Sequence, residues 1–74
     1  MPEIKASKVE VLDFIRRRQA VVTADLVNGF GYSYWGAYNK LRRLHRDHLI
    51  KRLARGEYCL ADDGYLKLVY YKKI

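Results

Sequence analysis

Residues 34–56 hold the side chains that are best suited to binding a polyanion. The segment contains seven Lys or Arg residues and one acidic residue, Asp47, so it supplies +6 of the net charge of +7. Its basic residues are Lys40, Arg42, Arg43, Arg46, Lys51, Arg52 and Arg55. Tyr34, Trp35, Tyr38 and Asn39 lie in the same segment. Cations mixed with aromatic and amide side chains suit a polyanion that also presents hydrogen-bonding groups and flat rings, so we expect nucleic acid as the partner.

A solvated basic helix without any partner is the alternative explanation of this segment. Residues 1–33 and 57–74 are each nearly neutral, with five basic against four acidic residues and three against three. Chance placement would spread the excess charge more evenly along the chain. We therefore favour the binding interpretation.

Length and composition indicate one small globular domain over residues 1–74. Half of the 74 residues are hydrophobic and 31% are charged, and no apolar run approaches the ~20 residues of a membrane span. The first residues lack an apolar signal core, and Cys59 is the only cysteine, which fits a reducing compartment. We expect a cytoplasmic, nucleoid-associated protein without membrane contact.

The N-terminal part of the core predicts an amphipathic helix. Ser7 and Glu10 have capping-box spacing, and an apolar stripe follows at Val9, Leu12 and Ile15 and continues to Gln19. Arg16–Arg18 ends the helix. These cations either complement the helix dipole or contact phosphate, and the sequence leaves both possibilities open.

Two further helices are predicted after a short extended segment, Ala20–Val22. Thr23 is expected to cap the second helix, with Leu26, Val27 and Phe30 on its buried face and Gly31 at its end. Ser33 is expected to cap a third helix, which runs to Asp47. Its buried stripe is Ala37, Leu41 and Leu44, followed by Leu49. The opposite face carries Tyr34, Trp35, Tyr38, Asn39, Arg42, Arg43 and Arg46.

The remaining residues predict a hairpin and a C-terminal segment. Leu49–Leu53 and Glu57–Ala61 are strand-like runs, joined by Ala54–Gly56. Asp62–Gly64 breaks the second strand and is able to start another helix. Residues 65–74 fit either a helical stripe or a strand alternation, and we interpret the segment as a helix that begins near Asp62. The expected fold class is α+β, mainly α.

The ordered series of elements resembles the winged helix-turn-helix DNA-binding domain of bacterial and archaeal transcription regulators. The resemblance covers about residues 8–64. It rests on Val22-Thr23-Ala24-Asp25-Leu26-Val27, on Phe30-Gly31-Tyr32-Ser33, on Ala37, Leu41, Leu44, Leu49 and Ile50, and on Gly56 to Gly64. It implies a three-helix core at about residues 7–61 with a short β-hairpin wing.

The resemblance also implies roles for individual residues in binding double-stranded DNA. The third helix would enter the major groove, with Asn39 pairing with adenine and Arg42 with guanine. Tyr34, Trp35 and Tyr38 would face the same groove. Phosphate contacts are implied for Thr23, Ser33, Arg43 and Arg46, and contacts from the wing for Arg52 and Arg55.

Two features depart from the family pattern. His48 stands where the family usually has Gly, between the recognition helix and the wing. Histidine tolerates a positive φ less readily than glycine, so the turn there is expected to differ in shape. The wing is also short, which argues against deep insertion into the minor groove.

The C-terminal segment, residues 62–74, is expected to form a dimer. Tyr65, Leu66, Val69 and Tyr70 have no place on a core that three helices and a hairpin already supply. A two-fold homodimer would present two recognition helices to successive major grooves and favour a palindromic site.

No enzymatic chemistry, cofactor or metal is expected. The sequence has no nucleophile motif and no phosphate-cradling glycine loop, and Asp62-Asp63 fits a helix start. His45, Asp47 and His48 lack further ligands at suitable spacing for a metal site. The chain has little room for a ligand domain, so no small-molecule effector is expected.

The leading interpretation is a sequence-specific transcriptional regulator, with two alternatives. One is a winged-helix module for protein interaction within a larger assembly, in which Tyr34, Trp35 and Tyr38 would form the contact patch. The other is a non-specific nucleoid or RNA-binding protein. An ordinary protein interface is depleted in lysine and does not need seven cations around it, which favours nucleic acid.

Overall fold

The computed structural model describes residues 7–72, which form four helices and a three-stranded antiparallel sheet. The helices are α1 (Lys8–Arg18), α2 (Thr23–Phe30), α3 (Tyr34–Arg46) and α4 (Asp62–Tyr70). The strands are β1 (Val21–Val22), β2 (Ile50–Ala54) and β3 (Glu57–Leu60), in the spatial order β1–β3–β2. The predicted α+β class with mainly helical content is confirmed. No helix within residues 7–72 has the length and apolar character needed to cross a bilayer.

Helix α1 begins as predicted but ends one residue before its predicted stripe does. The Ser7 hydroxyl accepts a 3.1 Å hydrogen bond from the Glu10 amide and lies 3.2 Å from the Glu10 carboxylate. Gln19 was predicted to continue the buried stripe, and this was wrong. It is exposed and has a φ of 71°, and its amide donates to the Arg16 carbonyl, which closes the helix.

Helix α2 follows β1 without a linker, which corrects the predicted cap at Thr23. Val22 is extended and takes the N-cap position, so Thr23 becomes the first helical residue and is only 8% exposed. The Asp25 carboxylate accepts a 2.9 Å hydrogen bond from the Val22 amide. A strand that passes directly into a helix shifts the cap by one residue. The predicted end at Gly31, with a φ of 75°, is confirmed.

The sheet is built on the predicted hairpin, shifted by one residue along β2. Ile50 pairs with Leu60 and Arg52 with Tyr58. Leu53 is an extra residue between the pairs at Arg52 and Ala54, which makes a β-bulge. Gly56 has a φ of 74° in the tight turn, where a side chain would be strained. The strand β1 pairs with β3 on its other edge.

The core takes residues from every helix and from the strands β1 and β2. Its fully or nearly fully buried members are Val11, Leu12, Ile15, Val21, Leu26, Ala37, Leu41, Leu44, Leu49, Ile50 and Leu68. The predicted inward stripe of α3 is confirmed, as is the burial of Leu49. His48 has a φ of 62°, so this histidine adopts a left-handed backbone conformation that usually favours glycine.

Residues 62–70 form a helix, as interpreted, and α4 packs closely on the start of β2. The helix buries Gly64 and Leu68 and packs against α1. A Cβ on Gly64 would collide with the Leu49 carbonyl oxygen and lie 2.9 Å from Leu60 Cδ1. The same carbonyl accepts a 3.1 Å hydrogen bond from the Ala61 amide, which holds it in place. The two backbones therefore need a residue without a side chain at this crossing.

We predict that Gly64→Ala lowers the free energy of unfolding by about 1–3 kcal/mol, a typical cost of overpacking. This holds although alanine favours a helix over glycine by about 1 kcal/mol. Gly29→Ala is the matched control, because its Cβ would meet only the end of the Phe14 ring, a side chain that is able to shift. Urea denaturation should show the larger loss for Gly64→Ala. Equal stability of Gly64→Ala and the parent chain would contradict the close packing.

Candidate nucleic-acid interface

The buried stripe of α3 directs the rest of this helix toward solvent. Ser33 caps the helix as predicted, its hydroxyl accepting a 3.0 Å hydrogen bond from the Gly36 amide. With Ala37, Leu41 and Leu44 in the core, the opposite face is uncovered. Tyr34 is 65% exposed and Trp35 is 68% exposed. The prediction that some of these aromatic residues lie outside the core is confirmed.

Three side chains on this face stack along the helix axis, and we call them the aromatic column: Trp35, Tyr38 and Arg42. The rings of Trp35 and Tyr38 are stacked, with centroids 5.5 Å apart and planes inclined by 26°. The guanidinium carbon of Arg42 lies 5.8 Å from the Tyr38 centroid, within the range of a cation–π contact. Spacings of three and four residues place these groups in successive turns.

A groove lies beside the column, between α3 and the sheet, and we call it the arginine groove. It has a volume of about 570 Å³. Its lining residues are Tyr38, Asn39, Arg42, Arg43, His45, Arg46 and Tyr58. Five of them were predicted site residues. Of the five side chains that were predicted to face the DNA major groove, three line the arginine groove: Tyr38, Asn39 and Arg42.

Sequence reasoning did not assign His45 and Tyr58 to the site. Their rings are in contact, with centroids 5.5 Å apart, and this contact joins the C-terminal half of α3 to β3. Arg52 pairs with Tyr58 across the strands, so both side chains project from the same face of the hairpin. The sequence carries no local signal that would assign Tyr58 to the site, because only the packing of α3 against β3 brings this ring to the groove.

The cations of this face are largely unpaired. Within residues 7–72, Arg42 and Arg43 on α3 and Arg55 on the hairpin make no ion pair. Arg46 lies 4.0 Å from Asp47, at the limit of an ion pair. Burial lowers the pKa of Lys40, and the neighbouring charges of Lys8 and Arg43 lower it further. Positive charges therefore crowd one another here, and a bound anion would relieve their repulsion.

The arginines at the end of α1 are in the opposite situation. Arg16 and Arg17 each lie 2.8 Å from a carboxylate oxygen of Asp13. Arg18 pairs with Asp25 at 3.3 Å and lies 5.5 Å from the centroid of the Phe14 ring. These cations form ion pairs within the protein, a role that differs from both possibilities left open by the sequence.

The remaining predicted residues do not line the arginine groove. Arg52 and Arg55 are exposed on the hairpin, and Arg52 donates a 3.4 Å hydrogen bond to the Ala54 carbonyl. Thr23 is only 8% exposed, so little of its surface is available for a phosphate contact.

Among residues 7–72, no three His, Cys, Asp or Glu side chains are grouped so that they would hold a metal ion.

Comparison of the chain with models of known protein families and with curated protein sequences finds no match.

The side chains on the exposed face of α3 themselves indicate what chemistry this face supports. Guanidinium groups bind phosphate oxygens in a bidentate manner, and an amide such as Asn39 pairs with base edges. Aromatic rings stack on bases or pack on sugars. The combination suits a nucleic acid.

We predict that Asp13→Asn removes a contribution to stability that depends on pH. The hydrogen bond from Arg16 is the main cause of the lowered pKa of the Asp13 carboxyl; burial opposes it, and the charge of Arg17 adds to the lowering. A lowered pKa stabilises the fold above the unfolded value of ~3.9, and this stabilisation is lost as the pH falls through the folded pKa. At neutral pH, the free energy of unfolding of the parent chain should therefore exceed that of Asp13→Asn. The two values should converge in acid.

Asp47→Asn serves as the control for this measurement. Asp47 makes longer ion pairs, 3.6 Å to Lys8 and 4.0 Å to Arg46, so its loss should cost less. A difference between the parent chain and Asp13→Asn that stays constant down to strongly acidic pH would contradict the assigned role of Asp13.

Proposed function

We propose that the chain is a winged helix-turn-helix protein that binds double-stranded DNA in a sequence-specific way and regulates transcription. The observation that carries the proposal is the set of unpaired arginines on the exposed face of α3, next to Asn39 and the aromatic column. Charges that a protein does not pair internally are suited to releasing counterions from DNA phosphates. The adjoining amide and guanidinium groups are suited to reading bases.

The arrangement of the elements supports this proposal. Three residues join α2 to α3, and three residues join α3 to the hairpin of β2 and β3. In the proposed complex α3 lies in the major groove, with Asn39 and Arg42 at base edges. Arg43 and Arg46 contact phosphates on the sides of the groove. The hairpin contributes Arg52 and Arg55 to flanking phosphates, and Thr23 has no part because it is covered.

The charge of the surface argues against a winged-helix module that binds only proteins. Tyr34 and Trp35 would suit a hot spot of a protein interface, but such interfaces exclude charge from their centre. Here the arginine groove directly adjoins the exposed rings. A non-specific nucleoid or RNA-binding protein would use the same face, and the ratio of affinities for specific and random duplex distinguishes it. We propose no enzymatic role.

The proposal is tested with Arg42→Ala, measured on a preferred duplex obtained by selection from a random pool. A bidentate contact to guanine provides about 1–3 kcal/mol of discrimination, so affinity for the preferred duplex should fall more than affinity for a random duplex. Arg17→Ala is the matched control, since Arg17 is an exposed arginine already paired with Asp13. Its affinity for either duplex should change little.

Arg55→Ala should behave differently from Arg42→Ala in the same assay. A phosphate contact from the hairpin predicts an equal loss on both duplexes and a salt slope that is smaller by about one. The proposal fails if the parent chain binds no duplex. It also fails if Arg17→Ala weakens binding as much as Arg42→Ala does.

We further propose that the DNA-binding unit is a homodimer joined through the exposed face of α4. This face consists of Tyr65, Leu66, Val69 and Tyr70, which are 51%, 63%, 46% and 78% exposed. Asp62 and Asp63 lie in the first turn of α4 and Lys67 in its last turn. An antiparallel pair of α4 helices would bring the acidic turn of each copy near the basic end of the other. This charge complementarity favours a second copy of the chain as the partner that covers the exposed face of α4.

We predict that Leu66→Glu converts the dimer to a monomer of 8.8 kDa. Sedimentation at tens of micromolar would measure this. Leu66 is exposed, so its substitution leaves the core intact, whereas a truncation after Gly64 would also remove the buried Leu68. Leu53→Glu is the control, because Leu53 is similarly exposed but lies on β2. A parent chain that sediments as a monomer, or a Leu66→Glu variant that remains dimeric, would contradict the arrangement.

A further inference from the structure

The aromatic column contains a tryptophan that is both stacked and exposed, a feature that hydrogen bonding to base edges does not require. Trp35 is stacked on Tyr38 and is nevertheless 68% exposed. One ring face is therefore held by a neighbour while most of the indole remains open to solvent. A tryptophan that is both fixed and exposed is a preorganised binding surface, since little side-chain freedom is lost when a ligand covers it.

The open indole is suited to a flat aromatic partner. Edges of base pairs are read through donors and acceptors, and an indole offers one N–H donor. Its larger surface is the ring face, which binds another ring by stacking. Inside an intact duplex, each base face is already covered by its neighbours in the stack. An accessible base face exists where a base is unpaired and displaced from the stack.

The surroundings of the column supply what such a base needs besides stacking. Arg42 stands over Tyr38 at the other end of the column, and Arg43 and Arg46 line the adjoining arginine groove. A displaced base remains attached to phosphates on both sides, and these arginines lie within the same face of α3. Unpairing a base costs least where the duplex is already interrupted.

We propose that the chain binds most tightly to duplex DNA that carries an unpaired base, with this base stacked on the indole of Trp35. The proposal rests on the proposed function, because α3 must be the DNA-binding helix. Tyr38 then acts by fixing the indole, and the arginines hold the flanking backbone. The ligand is an interrupted duplex, in which both the paired region and the displaced base are contacted.

The test uses two duplexes that are identical except for one unpaired nucleotide at the centre of one strand. Affinities are measured by fluorescence anisotropy for the full chain. We expect about tenfold tighter binding of the interrupted duplex, in keeping with the contribution of one base stacked on an aromatic ring. Trp35 is the only tryptophan in the sequence, so its fluorescence should also be quenched more by the interrupted duplex.

Trp35→Ala should abolish the preference, measured as the ratio of the affinities for the interrupted and the intact duplex. Tyr34→Ala is the matched control, because Tyr34 is 65% exposed and adjacent but lies outside the column. It should keep the preference. Equal affinity of the parent chain for both duplexes overturns the inference, as does a preference that survives in Trp35→Ala. Equally tight binding of the interrupted strand alone also overturns it, in favour of a single-strand binder.

Failure of this inference is distinguishable from failure of the proposed function. A chain that binds the intact duplex, and loses this affinity in Arg42→Ala, still satisfies the proposed function when it shows no preference for the interrupted duplex. A chain that binds neither duplex overturns both proposals.

Discussion

Burial of Ala37, Leu41 and Leu44 is the constraint on which the rest of the structure depends. These three side chains fix the rotation of α3 about its own axis, and this rotation decides which residues reach solvent. The same packing brings His45 against Tyr58 and so sets the distance between α3 and the hairpin. The arginine groove is a consequence of how the core is filled.

The distribution of carboxylates gives the two basic regions different characters. At the end of α1, Asp13 and Asp25 form ion pairs with three arginines, and these cations serve the helix and its packing. Among residues 7–72, the only acid that forms an ion pair with a cation of α3 is Asp47, which lies at the C-terminal end of the helix, 4.0 Å from Arg46. The difference between the two regions is therefore one of pairing, which a count of arginines along the sequence does not show.

Much of the fold could be predicted from the sequence because its signals are local. The cap at Ser33, the inward stripe of α3 and the turn at Gly56 each depend on a few neighbouring residues. The predicted N-cap at Thr23 was wrong because β1 runs directly into α2, which moves the cap to Val22. The close approach of Gly64 to Leu49 was not predicted, because the two residues are distant in sequence. For the candidate site, the exposed residues of α3 were predictable, whereas Tyr58 and the stacking of Trp35 on Tyr38 required coordinates.

The junction at Val22 has a consequence for how the molecule moves. Val22 is at once the last residue of β1 and the N-cap of α2, and its amide donates to Asp25. Since β1 is joined to the hairpin through β3, a displacement of the hairpin is transmitted through one residue to the start of α2. No hinge separates them. The hairpin and α2 are therefore expected to fluctuate as one body, with amide hydrogens at this junction that exchange with solvent together rather than in separate local openings.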